Sequence, residues 1–229
     1  MEKIKFKSIT KTLLADTVTP VGLYLKFRDK FANTLLLESS DYHSKEESFS
    51  FLCVDPVLTI KAENHHLSLS YKGEELDNQK LENTNFYSVF DEYTSRIDLD
   101  CDPEIKSFNG LYGYTAYDGV QYFENIELTS KDAPSAIPLM QYSFFRFVIA
   151  INHFNDEMIL IENLEENETS RLSEIETILK SKGYNTQDFS FENEETSNCT
   201  DEEFKEYIRK GKAHCKRGDV FQIVLSRQF

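Results

Sequence analysis

The chain has 229 residues, 40% of them hydrophobic and 13% aromatic, enough to close the core of one large or two small domains and too apolar for a disordered chain. Its formal charge of −15 is uneven: from Asp156 to Glu206 sixteen acidic residues stand against four basic ones, so this span alone carries −12. Such a surface repels phosphate backbones and anionic bilayers, which argues against nucleic acid and membrane as partners and otherwise reads as a solvated face.

Met1 to Lys7 contains no apolar core of signal length, and no later run approaches a membrane span. Thr19-Pro20, followed by Val21, Leu23, Tyr24, Phe27 and Phe31, predicts an N-capped helix with proline at its first position. Leu35 to Leu37 is a continuous apolar run, expected to be a buried strand that delivers Glu38 and Ser39 at its end. Phe49, Phe51 and Cys53 alternate with serines and predict a second strand, halted by Asp55-Pro56. Val57–Ala62 and Leu67–Tyr71 suggest a hairpin across Glu63-Asn64-His65, where His65-His66 reads as a solvated pair. A helix is expected from Phe86 to Ile97, with Phe86, Val89, Phe90 and Tyr93 on one stripe.

Gly110 to Asp118 reads as a strand whose two glycines imply close backbone approach or a bend, with Tyr112, Tyr114 and Tyr117 packed between sheets. It is not a phosphate loop: no Gly-Lys-Ser/Thr follows and no G-x-G-x-x-G is present. Tyr142–Ile151 and Met158–Ile161 predict a hairpin around residues 153–156. Ser170–Lys182 is amphipathic, with Leu172, Ile175, Ile178 and Leu179 inward and Gly183 as its stop. The polar stretch from Gly183 to Asn198 is the best linker. Thr200-Asp-Glu-Glu203 is a capping box for a last helix closed by Gly218. Hairpins with helices between them give an α+β class, mainly antiparallel sheets packed with helices.

Cys53, Cys101, Cys199 and Cys215 are widely spaced, with no C-x-x-C and no paired histidines at ligand spacing, and read as ordinary cytosolic thiols in a cytoplasmic protein. His214-Cys215 lies on a helix beside lysines, but adjacent helical positions point apart, which argues against a nucleophilic pair.

The chain ends on Gly218-Asp-Val-Phe-Gln-Ile-Val-Leu-Ser-Arg-Gln-Phe229, which alternates like a strand: Phe221, Ile223 and Leu225 on one face, Val220, Gln222, Val224 and Ser226 on the other. An edge strand is one reading. The other is the front part of a larger protein, whose further strands would pair this one. This segment resembles the one that opens the chorismate-binding half of the anthranilate synthase component I family. Thr34-Leu-Leu-Leu-Glu-Ser39 resembles that family's feedback-site strand, and Gly110-Leu-Tyr-Gly-Tyr-Thr-Ala-Tyr-Asp118 its G-x-x-G-Y-x-x-Y-D strand, so the likeness runs from Ile9 to Phe229.

The resemblance implies residues 1–182 as the N-terminal regulatory region, 183–199 as an acidic linker and 200–229 as the start of a truncated chorismate-binding domain. It implies a complete subunit that converts chorismate and ammonia to anthranilate and pyruvate in tryptophan synthesis. A glutamine amidotransferase subunit would be its partner and Mg2+ its cofactor, with the catalytic and metal-binding carboxylates beyond residue 229. Gln222 is the catalytic candidate. Relatives that add water carry a lysine there as general base, whereas ammonia is already a nucleophile and a neutral amide suffices.

Ser39 matches the serine that contacts the inhibitor L-tryptophan; Glu38, Leu37 and Pro20 are its expected neighbours, and Ser44 and Lys45 extend the match. A free amino acid needs polar groups for its charged ends beside an apolar slot, which leucines followed by Glu38 and Ser39 supply. From the residues alone, Leu35–Leu37 read as core, Ser39 as the start of a turn and Gln222 as a satisfied buried or edge glutamine. The 229-residue chain by itself is expected to be inactive. The alternatives are an aminodeoxychorismate synthase component I, which shares the glutamine, and a stand-alone amino-acid-binding module.

Overall fold

The computed structural model describes residues 3–39, 48–81, 85–124, 126, 137–186, 188–190 and 195–229. Two compact units divide the chain, residues 1–185 and 186–229.

The first unit is a nine-stranded sheet with helices against it. In chain order it contains β1 (Ile4–Leu14), α1 (Pro20–Arg28), β2 (Leu35–Glu38), β3 (Phe49–Glu63), β4 (His66–Tyr71), β5 (Glu74–Lys80), α2 (Phe86–Thr94), β6 (Ile97–Asp100), β7 (Leu111–Thr115), β8 (Met140–Asn152), β9 (Glu157–Glu165) and α3 (Leu172–Lys180). The strand order is β5-β4-β3-β8-β9-β1-β6, with β2 also on β3 and β7 also on β8. All pairings are antiparallel except β1 with β6. The long pair β3–β8 is the spine, running from Phe49↔Asn152 to Ala62↔Met140.

Alternation along this spine sends side chains to opposite faces. On one side Leu58, Ile60, Leu67, Leu69 and Phe144 meet Phe86, Val89 and Tyr93 of α2. Toward the other end Leu52, Phe147 and Ile149 pack with Leu23 and Phe27 of α1 and with Ile175 and Leu179 of α3. Leu23 and Phe27 are fully buried, each contributing about 2 kcal/mol of transfer free energy. Helix α1 starts as its sequence dictates: Thr19 Oγ1 accepts from the Gly22 N–H at 3.0 Å and Pro20 occupies the first turn. Among the polar groups, Glu162 is wholly buried yet satisfied by Arg146 Nε and Nη2, the Ser170 hydroxyl and the Arg171 N–H.

Several expectations are corrected. Asp55-Pro56 does not halt a strand; β3 runs straight through it, because Asp55 takes a left-handed conformation (φ 63°) and the register with β8 slips between Pro56 and Leu58, a bulge that absorbs the proline. The helix from Phe86 stops at Thr94, and Ile97 instead opens β6, whose pairing with β1 outweighs the helical pattern. The Ser170–Lys182 helix is shorter, Leu172–Lys180, and ends at Ser181 in extended conformation, so Gly183 (φ 77°) lies past the stop. Beyond Thr115 the tyrosine-rich segment leaves the sheet as a 3-10 turn, Tyr117–Tyr122. Tyr112 packs on Phe51 and donates to the Phe108 carbonyl at 2.7 Å, but Tyr117 is 89% exposed and Tyr114 partly so. The glycine reading holds at Gly113 alone: a Cβ there would stand 1.9 Å from the Gln141 carbonyl oxygen of β8, whereas Gly110 faces open space.

The second unit contains α4 (Asp201–Arg217), opened by the reciprocal Thr200–Glu203 capping box and closed by Gly218 in left-handed conformation (φ 80°). Residues 219–229 form no strand. Their alternation is real, but a strand exists only where a neighbour supplies the ladder, and none of the described strands does.

Candidate functional site

The two groups of predicted site residues fall in different units. In the first, Thr34 Oγ1 donates to the Phe31 carbonyl at 3.1 Å and the chain enters β2. Its register against β3 is Leu35↔Cys53, Leu36↔Leu52, Leu37↔Phe51 and Glu38↔Ser50. Leu36 joins the cluster around Leu23 and Phe27, so the α1 face of β2 carries Leu36 and Glu38. Leu35 packs with Cys53 and Phe145 on the opposite face, which Leu37 shares.

Leu37 is half-buried, and Glu38 and Ser39 are exposed at the strand end. Pro20 is half-buried at the start of α1, which packs on β2 and β3. The structure thus sets Pro20 and Glu38 on elements that share one face of β2 and turns Leu37 to the other. Ser44 and Lys45 lie outside the described residues. Sequence reasoning missed Ser50, opposite Glu38: it is fully buried, 2.7 Å from His153 Nε2. Its place in the Ser48-Phe-Ser50 alternation was the available signal.

In the second unit the chain turns at Gly218 and runs back along α4. At the turn, Arg217 and His214 bind the Asp219 carboxylate and hold it below the usual carboxylate range. His214 is therefore engaged by Asp219 and Arg217. Ile223 and Leu225 lie on the helix at Gly211, where a Cβ would meet a methyl of each at 3.4 Å. Gly211 is the buried residue of α4, and a glycine that weakens the helix by about 1 kcal/mol relative to alanine leaves room there for the returning chain.

Around this contact a cavity of about 440 Å3 is lined by Phe204, Ile208, Cys215, Ile223 and Leu225. At the far end Arg227 bonds Ser197 Oγ at 2.6 Å and pairs with Asp201, while Asn198 N–H donates to the Gln228 carbonyl at 3.1 Å. Gln222 lies between these anchors and is exposed, as are Val220, Val224 and Ser226. Phe221, expected on the face of Ile223 and Leu225, is instead wholly exposed, because only those two reach the helix.

Among the described residues, no group of three or more histidine, cysteine, aspartate or glutamate side chains could hold a metal ion. No described helix is long and apolar enough to cross a membrane.

Residues 33–229 match the family model of chorismate binding enzyme. The chain belongs to the chorismate binding enzyme family. It is 28% identical to anthranilate synthase component 1 of Lactococcus lactis over 95% of this chain and 48% of that protein. It is 26% identical to anthranilate synthase component 1 of Aquifex aeolicus over 95% of this chain and 46% of that one. The chain therefore spans about half the length of the curated relatives it matches. Among solved structures, anthranilate synthase component I of Streptococcus pneumoniae aligns with 90% of this chain and 46% of its own, at 20% identity and a TM-score of 0.49.

Proposed function

We propose that this chain is the N-terminal portion of an anthranilate synthase large subunit, a lyase that in its complete form converts chorismate and ammonia to anthranilate, pyruvate and water. The similarity to anthranilate synthase component 1 across 95% of the chain carries this reading. Gln222 sets the reaction type. A carboxamide does not titrate near neutrality and cannot draw a proton from water, so it suits a nucleophile that needs no base.

Leu37, Glu38 and Ser39 at the end of β2, with Pro20 opening α1, would form part of an L-tryptophan feedback pocket. Their mixture of an apolar side chain, a carboxylate and a hydroxyl suits the ammonium and indole of that ligand. Allosteric inhibition by tryptophan, a glutamine amidotransferase subunit supplying ammonia, magnesium held by residues outside this chain and a cytoplasmic location belong to the same reading. The four cysteines, all free thiols, accord with a reducing compartment.

Product analysis tests it. The complete subunit, given chorismate and ammonium, should release fluorescent anthranilate together with pyruvate, while the 229-residue chain alone releases neither. An aminated product retaining its enolpyruvyl group would assign it to aminodeoxychorismate synthesis instead. Anthranilate made by the isolated chain would refute its being only a portion of the catalyst.

A further inference from the structure

A cavity of about 430 Å3 opens on the sheet of the first unit, apart from Pro20, Leu37, Glu38 and Ser39. Its floor is the β4–β3–β8 sheet, where Ser70 pairs across from Thr59, and Lys61 across from Gln141. At the other end stand Phe31 and Pro56. The bulge makes this shape. With Asp55 at φ 63° and the register shifted beyond Pro56, β3 bends where a flat strand would leave no concavity.

The volume falls in the range of small-molecule sites, and the lining mixes Phe31, Pro56 and Val57 with polar groups at both ends, Asp55 and Lys72 beside Pro56 and Lys61 with Gln141 beyond. Among the described residues the Ser70 hydroxyl and the Gln141 amide make no hydrogen bond. Among the described residues the Lys61 ammonium is held only by Glu63, at 3.0 Å and with both side chains partly exposed, a pair of little net worth that an incoming anion can displace. Asp55, by contrast, is committed to Arg171 Nη1 at 3.3 Å.

We propose that this cavity binds a small amphiphilic monocarboxylate, its carboxylate at Lys61, Gln141 and Ser70 and its apolar body against Phe31 and Pro56. One ammonium and two neutral donors match a single negative charge. A dianion such as a phosphate monoester would meet Glu63 and a chain of net charge −15, and the second cation of the lining, Lys72, is already held by Glu165 at 2.9 Å and Glu168 at 3.2 Å. From Pro56 to Lys61 the strand extends about 16 Å, at roughly 3.3 Å per residue, so the ligand is elongated: a ring on a short chain rather than a single small acid. This site stands independently of the chorismate reading.

The test is a titration of the isotopically labelled chain with 4-phenylbutyrate, followed by amide NMR, with uncharged 4-phenylbutan-1-ol as the control. Saturable shifts are expected at Asn33, Val57, Ser70, Gly73 and Gln141, and the alcohol should bind about tenfold more weakly or worse, having lost its charge-assisted hydrogen bond. Lys61→Met, which keeps the aliphatic stem of a half-buried side chain, should weaken the carboxylate by about tenfold, and Gln141→Met by a few-fold. Non-saturating shifts would overturn the proposal, as would shifts confined to Leu36–Ser39 or to Phe221–Leu225. An affinity unchanged by Lys61→Met, or equal for acid and alcohol, would overturn it too.

Discussion

Strand β8 and the terminal segment 219–229 share one kind of sequence and have opposite fates. Both are apolar runs rich in β-branched and aromatic side chains, the ordinary mark of a strand. β8 lies between β3 on one side and β7 and β9 on the other, and Phe144 to Ile151 are buried apart from Arg146. Segment 219–229 rests on one helix through Ile223 and Leu225 and leaves Phe221 and Val224 in water. Side-chain pattern permits a strand; a partner's backbone makes one. The first unit supplies its own partners; among the described residues of the second, none is a strand.

The largest expected effect comes from breaking the closed region. Glu162→Ala strips the half-buried Arg146 guanidinium of the carboxylate oxygen that accepts from both its Nε and Nη2, and should cost about 3 kcal/mol, as removal of one partner of a largely buried ion pair does. Urea unfolding would register it as a lower midpoint at unchanged slope. Gly113→Ala places a methyl group on the Gln141 carbonyl; an expected loss of about 2–3 kcal/mol, with loss of hydrogen-exchange protection concentrated in β7, distinguishes local displacement from global weakening.

In the open region, Gly211→Val should push Ile223 and Leu225 off α4, at a cost of about 1 kcal/mol, and speed tryptic cleavage at Arg227. Thr200→Ala, which removes the capping box, should cost about 1 kcal/mol of helix stability, visible as faster exchange in the first turn of α4.

Acid sharpens the contrast further. Burial alone would raise the Glu168 pKa, but the Glu165 N–H, Lys72 and Arg146 outweigh it and hold it below the usual range; a hydrogen bond from Arg171 does the same to Glu174. A depressed carboxylate contributes stability above its unfolded pKa and loses it as pH falls through the folded one. The first unit should therefore begin to weaken below about pH 4.3, the ordinary glutamate value, when melting temperature is followed against pH.

Much of this was legible in the residues. Thr19-Pro20, the Asn64-His65 hairpin turn, the Thr200–Glu203 box and the Gly218 stop each carry local chemistry that fixes one geometry, and the structure has them. What escaped depended on distant partners. Lys-rich β1 and acidic β5 carry little apolar pattern and are strands because β9 and β4 receive them. Ile97 looked like the last turn of a helix until β1 paired with it. At the candidate site, the order of Leu35 to Ser39 was readable and the face each residue takes was not, since that follows from the register with β3. The exposed setting of Gln222 had no signature in its neighbours, which alternate as a buried strand would.

The proposed amination is tested most directly by replacing the amide at position 222. With chorismate and ammonium, the complete subunit should yield anthranilate without isochorismate, and Gln222→Lys should lower that rate by about tenfold or more, a barrier increase of roughly 1.4 kcal/mol. An unchanged rate in the variant, or addition of water to chorismate by the unsubstituted protein, would contradict the account.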